Sequence, residues 1–370
     1  MTKKLLLLSF SIFIYSIVIS QNSNVGFRVK YLEGINVIPT GVTGFENENI
    51  VGNSASGFEI GIVKQSEAKK DWEKLFGSPR LSLCFSKISF SENKIFGDVF
   101  TLIPGFETDI LKLKNNFLTT KFGMGASYNT EVYNKESNRI NRNASNFNFA
   151  FQIEISWQKK IKPNLLFSID FGFLHCSNGS FKIPNDGLNI AFVKAGINYY
   201  LKSYQINTTK ISLKSEKSNW YYQTFLAYGF KEQGLTGPHK YSTITYNHQL
   251  LKPINKILDA GIILDLFYDA TPYIRRFLPA NLNEISETEK NHAAIGFGSE
   301  LKIGNFSLPL HIMHYFFNLN TINKEKMYTR FGAKYMLNNN IFISATFKGT
   351  ITNTSIIQSD FMEWGVGIKL

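Results

Sequence analysis

The chain has 370 residues, of which 15% are aromatic, and a mean hydropathy of -0.11, so it is too polar for a bundle of membrane helices and unusually aromatic for a soluble domain. This mixture is typical of a β-barrel whose residues alternate between lipid and a wet interior. A formal charge of +12 favours anionic partners; phosphorylated lipid is one, and nucleic acid is the alternative on charge alone.

The N-terminus has the pattern of a secretory signal peptide. Lys3 and Lys4 precede an apolar run that ends at Ile19, and Gln21 is the expected mature start. We therefore assign residues 1–20 to a signal peptide, with a membrane-anchoring helix as the alternative. Export argues against a nucleic-acid partner, and it leaves 38 basic against 28 acidic residues, a charge of +10. Two cysteines are too few for a disulfide framework.

Alternation of apolar and polar residues predicts β-strands along the rest of the chain. The clearest case is 146–158, where Phe and Ile side chains face one way and Asn, Gln and Glu side chains face the other. We predict about sixteen strands of the length that crosses an outer membrane. They lie near 24–32, 57–66, 80–90, 97–110, 116–130, 146–160, 163–177, 189–202, 218–231, 241–251, 255–268, 291–303, 305–316, 327–336, 339–350 and 359–370.

The lengths of the connections predict an outer-membrane barrel. Four long connections, 33–56, 131–145, 178–188 and 269–290, fall on one side, which is the outside if the mature chain starts in the periplasm. Most connections on the other side are short, as in outer-membrane proteins. A soluble β-sandwich hydrolase is a less favoured alternative. The expected fold class is therefore all-β, an antiparallel transmembrane outer-membrane β-barrel.

The same strand pattern leaves two ways of closing the sheet. Eight predicted strands precede the connection 203–217 and eight follow it, which an internal duplication would explain. We therefore divide the mature chain into a first half, 21–202, and a second half, 218–370. One barrel of sixteen strands would enclose a wet lumen, whereas two eight-stranded barrels in tandem would be filled by side chains. We expect the single large barrel.

Polar residues gather at the end of the seventh predicted strand. His175 and Ser177 lie two residues apart and so point the same way, about 6.6 Å apart at their Cα atoms. If the next strand pairs with this one as a hairpin, Asn189 shares their surface. The pattern therefore places a base, a hydroxyl and an amide together on the apolar, lipid-facing side of the wall.

The stretch from His175 to Gly187 resembles a known family, the outer-membrane lipid A 3-O-deacylases of the PagL type, within the wider group of acyloxyacyl hydrolases. The shared motif is His-X-Ser-Asn-X-X-X-Lys-X-Pro-Asn-Asp-Gly. Small members of that family are eight-stranded, so their length corresponds to the chain up to about Lys202. The resemblance implies hydrolysis of an ester-linked acyl chain of lipopolysaccharide lipid A, within the outer-membrane bilayer and without a metal or cofactor.

The resemblance also implies roles for the motif residues. Ser177 would be the nucleophile of a serine esterase, and His175 would be its general base and then its general acid. Asn178, with nearby backbone N–H groups such as that of Gly179, is the candidate oxyanion hole.

The chain departs from the family at the third catalytic position, where Asn189 stands in place of an acidic residue. An amide can orient the imidazole but cannot stabilise its protonated form with a negative charge. Asp186, in the following loop, is a further candidate for a supporting role. The alternative function is a catalytically impaired barrel that acts as a pore or as a structural or binding protein.

Overall fold

The computed structural model describes residues 24–37, 53–204, 219–232, 239–271, 290–317, 326–351 and 358–370. The predicted signal peptide, 1–20, lies outside these residues. Within them the chain forms sixteen antiparallel strands and two short helices. The strands are β1 Asn24–Asn36, β2 Asn53–Gln65, β3 Arg80–Phe90, β4 Asp98–Leu113, β5 Asn116–Asn129, β6 Phe147–Lys162, β7 Leu165–Ser177, β8 Leu188–Tyr200, β9 Tyr221–Glu232, β10 Lys240–Pro253, β11 Leu258–Asp269, β12 Asn291–Ile303, β13 Phe306–Phe317, β14 Met327–Met336, β15 Ile341–Thr350 and β16 Gln358–Lys369; the helices are α1 Asp71–Leu75 and α2 Asn93–Phe96.

The strands close into two separate barrels, β1–β8 and β9–β16. In the first barrel, β8 pairs back onto β1, with Tyr199 opposite Phe27. In the second barrel, β16 pairs back onto β9, with Val366 opposite Leu226. The expectation of one large barrel is therefore wrong, and the tandem arrangement is the correct one. Closure removes the unpaired edges that β1, β8, β9 and β16 would otherwise present.

Charged side chains fill the interior of the first barrel. Lys194 Nζ lies 2.5 Å from a Glu59 carboxylate oxygen and 2.6 Å from one of Glu154. Lys121 approaches the same two carboxylates at 3.7 and 3.6 Å. Each of these four residues is at most 2% exposed. Eight strands enclose only enough space for side chains, so opposite charges must pair there rather than be hydrated.

The second barrel repeats this arrangement with different residues. The Arg330 guanidinium lies 2.5 Å from both Asp265 and Glu363, and Lys334 pairs with Glu300. All five residues are buried. The two interiors therefore explain why the strands alternate so regularly between apolar and charged residues although neither barrel encloses the expected wet lumen.

The two barrels are in contact at the end where β2 joins β3. The long connection 67–79, for which the sequence offers no explanation, contains helix α1. Trp72 in this helix packs against the turn between β12 and β13, where a Cβ on Gly304 would lie 3.0 Å from the indole nitrogen. Among the described residues, neither helix has the length and hydrophobicity needed to cross a membrane.

The charged interior generates a stability prediction. We expect Lys194→Met to lower the free energy of unfolding of the first barrel by about 3 kcal/mol, because it leaves two buried carboxylates with less compensating charge. Ile197→Val is the control. Ile197 lies on the outer face of the same strand and is 48% exposed, so this substitution should lower the free energy of unfolding by about 1 kcal/mol or less. Unfolding in detergent, followed by the change in electrophoretic mobility on heating, measures both. Equal stability of the two variants would contradict the prediction.

Candidate active site

The β7–β8 hairpin brings together the three residues that the sequence places on one surface. Its register sets His175 directly opposite Asn189, and β6 lies on the other side of β7 with Phe149 opposite Ser177. The alternation of β7 turns Asp170 into the barrel and the histidine and serine outward. Ser177 is nevertheless only 4% exposed, so another part of the chain covers it.

A continuous hydrogen-bonded chain runs through the three side chains. His175 Nε2 lies 2.8 Å from Ser177 Oγ, and His175 Nδ1 lies 2.7 Å from Asn189 Oδ1. The Asn189 amide nitrogen donates to the Asp186 carbonyl at 3.5 Å, which turns its oxygen toward the imidazole. An amide oxygen can only accept, so Nδ1 carries the proton and Nε2 is left to accept from the serine hydroxyl. This is the arrangement of a serine nucleophile with its general base.

The side chain of Asn178, which the sequence predicts for the oxyanion hole, uses its hydrogen bonds within the protein. The Asn178 amide nitrogen donates to Ser145 Oγ at 2.8 Å and to the Lys182 carbonyl at 2.9 Å. Its backbone N–H donates to Asn185 Oδ1 at 2.8 Å. Asn178 therefore organises residues 178–187, the site loop, and the backbone N–H of Gly179 is the better candidate for contacting a developing oxyanion.

The acidic residues near the site do not replace the missing carboxylate. Asp186 points away from the imidazole and accepts from Arg142 Nε at 2.7 Å. Asp170 pairs with Lys30 inside the barrel, and Glu154 pairs with Lys194 there, as their strand positions predict. Asn189 is thus the group that orients His175, and its amide is uncharged.

Gly187 lies so close to His175 and Ser177 that the site has no room for a side chain at this position. It adopts a left-handed backbone conformation, with φ of 73°. A Cβ at this position would lie 2.8 Å from His175 Cε1 and 3.2 Å from Ser177 Cβ. The sequence identifies Gly187 as a turn residue and as part of the motif, but this close approach becomes visible only once the loop is folded over the strand.

Comparisons with known families match both halves of the chain. Residues 56–198 match the family described as lipid A 3-O-deacylase (PagL), and residues 220–370 match the family described as acyloxyacyl hydrolase, C-terminal domain. No curated protein matches the chain. The second matched segment corresponds closely to the second barrel, and the first runs from within β2 to near the end of β8.

Three solved structures with some similarity to this chain are remote. A mutant of the Rh. blastica porin is 9% identical, with 94% of this chain and 100% of that chain covered and a TM-score of 0.21. The Pseudomonas putida toluene transporter TodX is 6% identical, with coverages of 96% and 90% and a TM-score of 0.18. CdiB from Acinetobacter baumannii is 12% identical, with coverages of 94% and 60% and a TM-score of 0.19. Scores this low carry no structural argument.

The close approach at Gly187 generates a prediction about reactivity. We expect Gly187→Ala to slow the reaction of Ser177 with a fluorophosphonate probe by about 10²-fold, because the added methyl group displaces the serine and the imidazole from each other. Gly77→Ala is the matched control: Gly77 has a similar φ of 65°, but a Cβ there would meet only the Lys112 side chain. Labelling followed by mass spectrometry measures both. Equal slowing in the two variants would show that backbone strain, and not crowding at the site, is responsible.

Proposed function

Because this chain belongs to the lipid A 3-O-deacylase (PagL) family of acyloxyacyl hydrolases, we propose that it is an outer-membrane serine esterase that removes an ester-linked acyl chain from lipid A. The observation that carries the proposal is the hydrogen-bonded chain from Ser177 through His175 to Asn189. Its side chains face outward from the wall of the first barrel, on the side from which a lipid in the surrounding membrane would approach.

The first half of the proposed reaction forms an acyl-enzyme. The Ser177 hydroxyl attacks the ester carbonyl carbon while His175 Nε2 takes its proton. The carbonyl oxygen then becomes an oxyanion, for which the Gly179 backbone N–H is the candidate donor. Collapse of this intermediate breaks the bond to the sugar oxygen, which receives the proton from Nε2. The deacylated lipid leaves, and the acyl chain stays on the serine.

The second half of the reaction releases the fatty acid. Water now attacks the acyl carbonyl carbon while His175 Nε2 takes its proton; the bond to Ser177 Oγ then breaks, and Nε2 returns the proton to that oxygen. In both halves of the reaction His175 becomes an imidazolium, and its Nδ1–H continues to donate a hydrogen bond to Asn189 Oδ1. This contact maintains the orientation of the ring, but it stabilises the positive charge less than a carboxylate would. We therefore expect a slower enzyme than one with an acidic residue here.

The alternative of a pore is less well supported. A channel needs an open lumen, but Glu59 and Lys194 in the first barrel and Arg330 in the second are fully buried between ion-pair partners. These pairs fill the space through which a solute would pass. The outward-facing hydrogen bonds of His175 with Ser177 and Asn189, in contrast, support ester hydrolysis.

The assignment of the nucleophile is tested directly on lipid A. We expect mass spectrometry of lipid A from cells expressing the wild-type chain to show loss of one acyl chain, and Ser177→Ala to lower the rate by at least about 10³-fold because it removes the hydroxyl that forms the acyl-enzyme. Ser299→Ala, in the second barrel, is the control and should act like the wild type. Full activity of Ser177→Ala would end the assignment.

The role of Asn189 is tested by restoring a charge without changing size. We expect Asn189→Asp to raise kcat about fivefold, since a hydrogen bond to a charged group is stronger by about 1 kcal/mol than a neutral one. Asn189→Leu, which has no acceptor for Nδ1, should lose activity. Purified variants in detergent with lipid A as substrate provide the measurement. A lower rate for the aspartate variant would show that the site is built for the neutral amide.

A further inference from the structure

The second barrel lies against the candidate active site. Most side chains on the outer face of β15 and β16 are exposed: Ile343 is 43% exposed, Trp364 39% and Val366 60%. Phe347 and Met362 face outward on the same strands, yet they are only 8% and 5% exposed. Outward-facing residues that are buried mark the place where another part of the chain covers the barrel.

The covering part is the region around Ser177. The ring of Phe149, which lies opposite Ser177 on β6, packs edge-on against Phe347 with centroids 5.4 Å apart. A Cβ on Gly179 would lie 3.2 Å from Met362 Cβ and 3.4 Å from the Phe347 ring. The nucleophile is therefore located at the contact between the two barrels, and its low exposure has a cause in the second barrel as well as in the site loop.

One residue of the second barrel holds the site loop by two hydrogen bonds. The Glu232 carboxylate accepts from the Ile183 backbone N–H at 2.7 Å, and the Glu232 backbone N–H donates to the Ser180 carbonyl at 2.8 Å. Between these two points, the Phe181 ring packs on Phe230 with centroids 4.0 Å apart. The end of β9 thus binds the site loop, which carries Asn178, Gly179 and Gly187.

We propose that the active site is composite and that the second barrel supplies its outer wall. Glu232 is a positioning residue that holds the site loop in its reactive conformation. Phe347 and Met362 pack against Phe149 and next to Gly179, and the acyl chain of the substrate inserts between these apolar surfaces when lipid A binds. This inference rests on the proposed function, because an acyl chain is the part of lipid A that an apolar wall can bind.

The positioning role is tested with Glu232→Ala and Glu232→Gln in the full chain. The amide of glutamine keeps an acceptor for the Ile183 N–H, and alanine does not. We expect Glu232→Ala to lower kcat on lipid A at least about 10-fold and to speed hydrogen exchange of the Ile183 amide by a similar factor, since the loop is released. Glu232→Gln should stay within about threefold of the wild type in both. Unchanged exchange in the alanine variant would overturn the positioning role.

The apolar wall is tested by the dependence on acyl-chain length. We expect Phe347→Ala and Met362→Ala to lower kcat/KM for a dodecanoyl ester about 10-fold while leaving a butyryl ester within about twofold, because only the long chain reaches the wall. Val366→Ala, on the exposed part of β16, is the control and should change neither. Equal losses of kcat/KM on both esters would contradict the role of Phe347 and Met362 as an acyl-chain wall. This result does not depend on whether the Glu232 variants assemble.

The two levels of the proposal fail in different ways. If the wild-type chain leaves lipid A intact but Glu232→Ala still speeds hydrogen exchange at Ile183, the proposed substrate is refuted. The contact between Glu232 and the site loop is then still supported. Normal deacylation with unchanged Ile183 exchange in Glu232→Ala, and with equal losses on both ester lengths in the wall variants, would keep the function and refute the composite site.

Discussion

Antiparallel pairing of β7 with β8 sets His175 opposite Asn189, and the candidate active site depends on this register. A slip of one residue would turn the histidine and serine into the barrel and the amide away from them. The register is maintained on both sides, because β7 also pairs with β6 and β8 closes the barrel onto β1. The geometry of the candidate site is therefore a property of the closed wall, and the loop that follows β7 completes it.

The charged interior of the first barrel gives this wall its rigidity. Lys194, on the inner face of β8, reaches carboxylates on β2 and β6. Lys30 on β1 pairs with Asp170 on β7, the strand that carries His175 and Ser177. Such buried pairs contribute little net stability compared with apolar packing, but removing one partner is costly. They tie strands that are not neighbours in the sheet, and so they restrain the strands that carry the site.

The second barrel gives the molecule a feature that eight strands alone would lack. A catalytic pair on the outer face of a single barrel would meet lipid on every side except its own wall. Here Phe347 and Met362 cover that face, and Glu232 reaches the site loop. The two family matches, which divide the chain close to the division between barrels, are consistent with an old association of two units around one site.

The sequence by itself determined the strands, the face of each residue and the candidate site, because alternation with a period of two is a local property and the motif from His175 to Gly187 is contiguous. It could not determine which strands close on which, since all sixteen share the same alternation, and the single barrel predicted on that basis was wrong. The use of the Asn178 amide within the site loop and the contacts of Glu232 and Met362 with that loop also escaped it. These join residues from 4 to more than 180 positions apart, and the nearest such pairs depend on how the loop folds. Only closure of the two barrels and their packing against each other decided them.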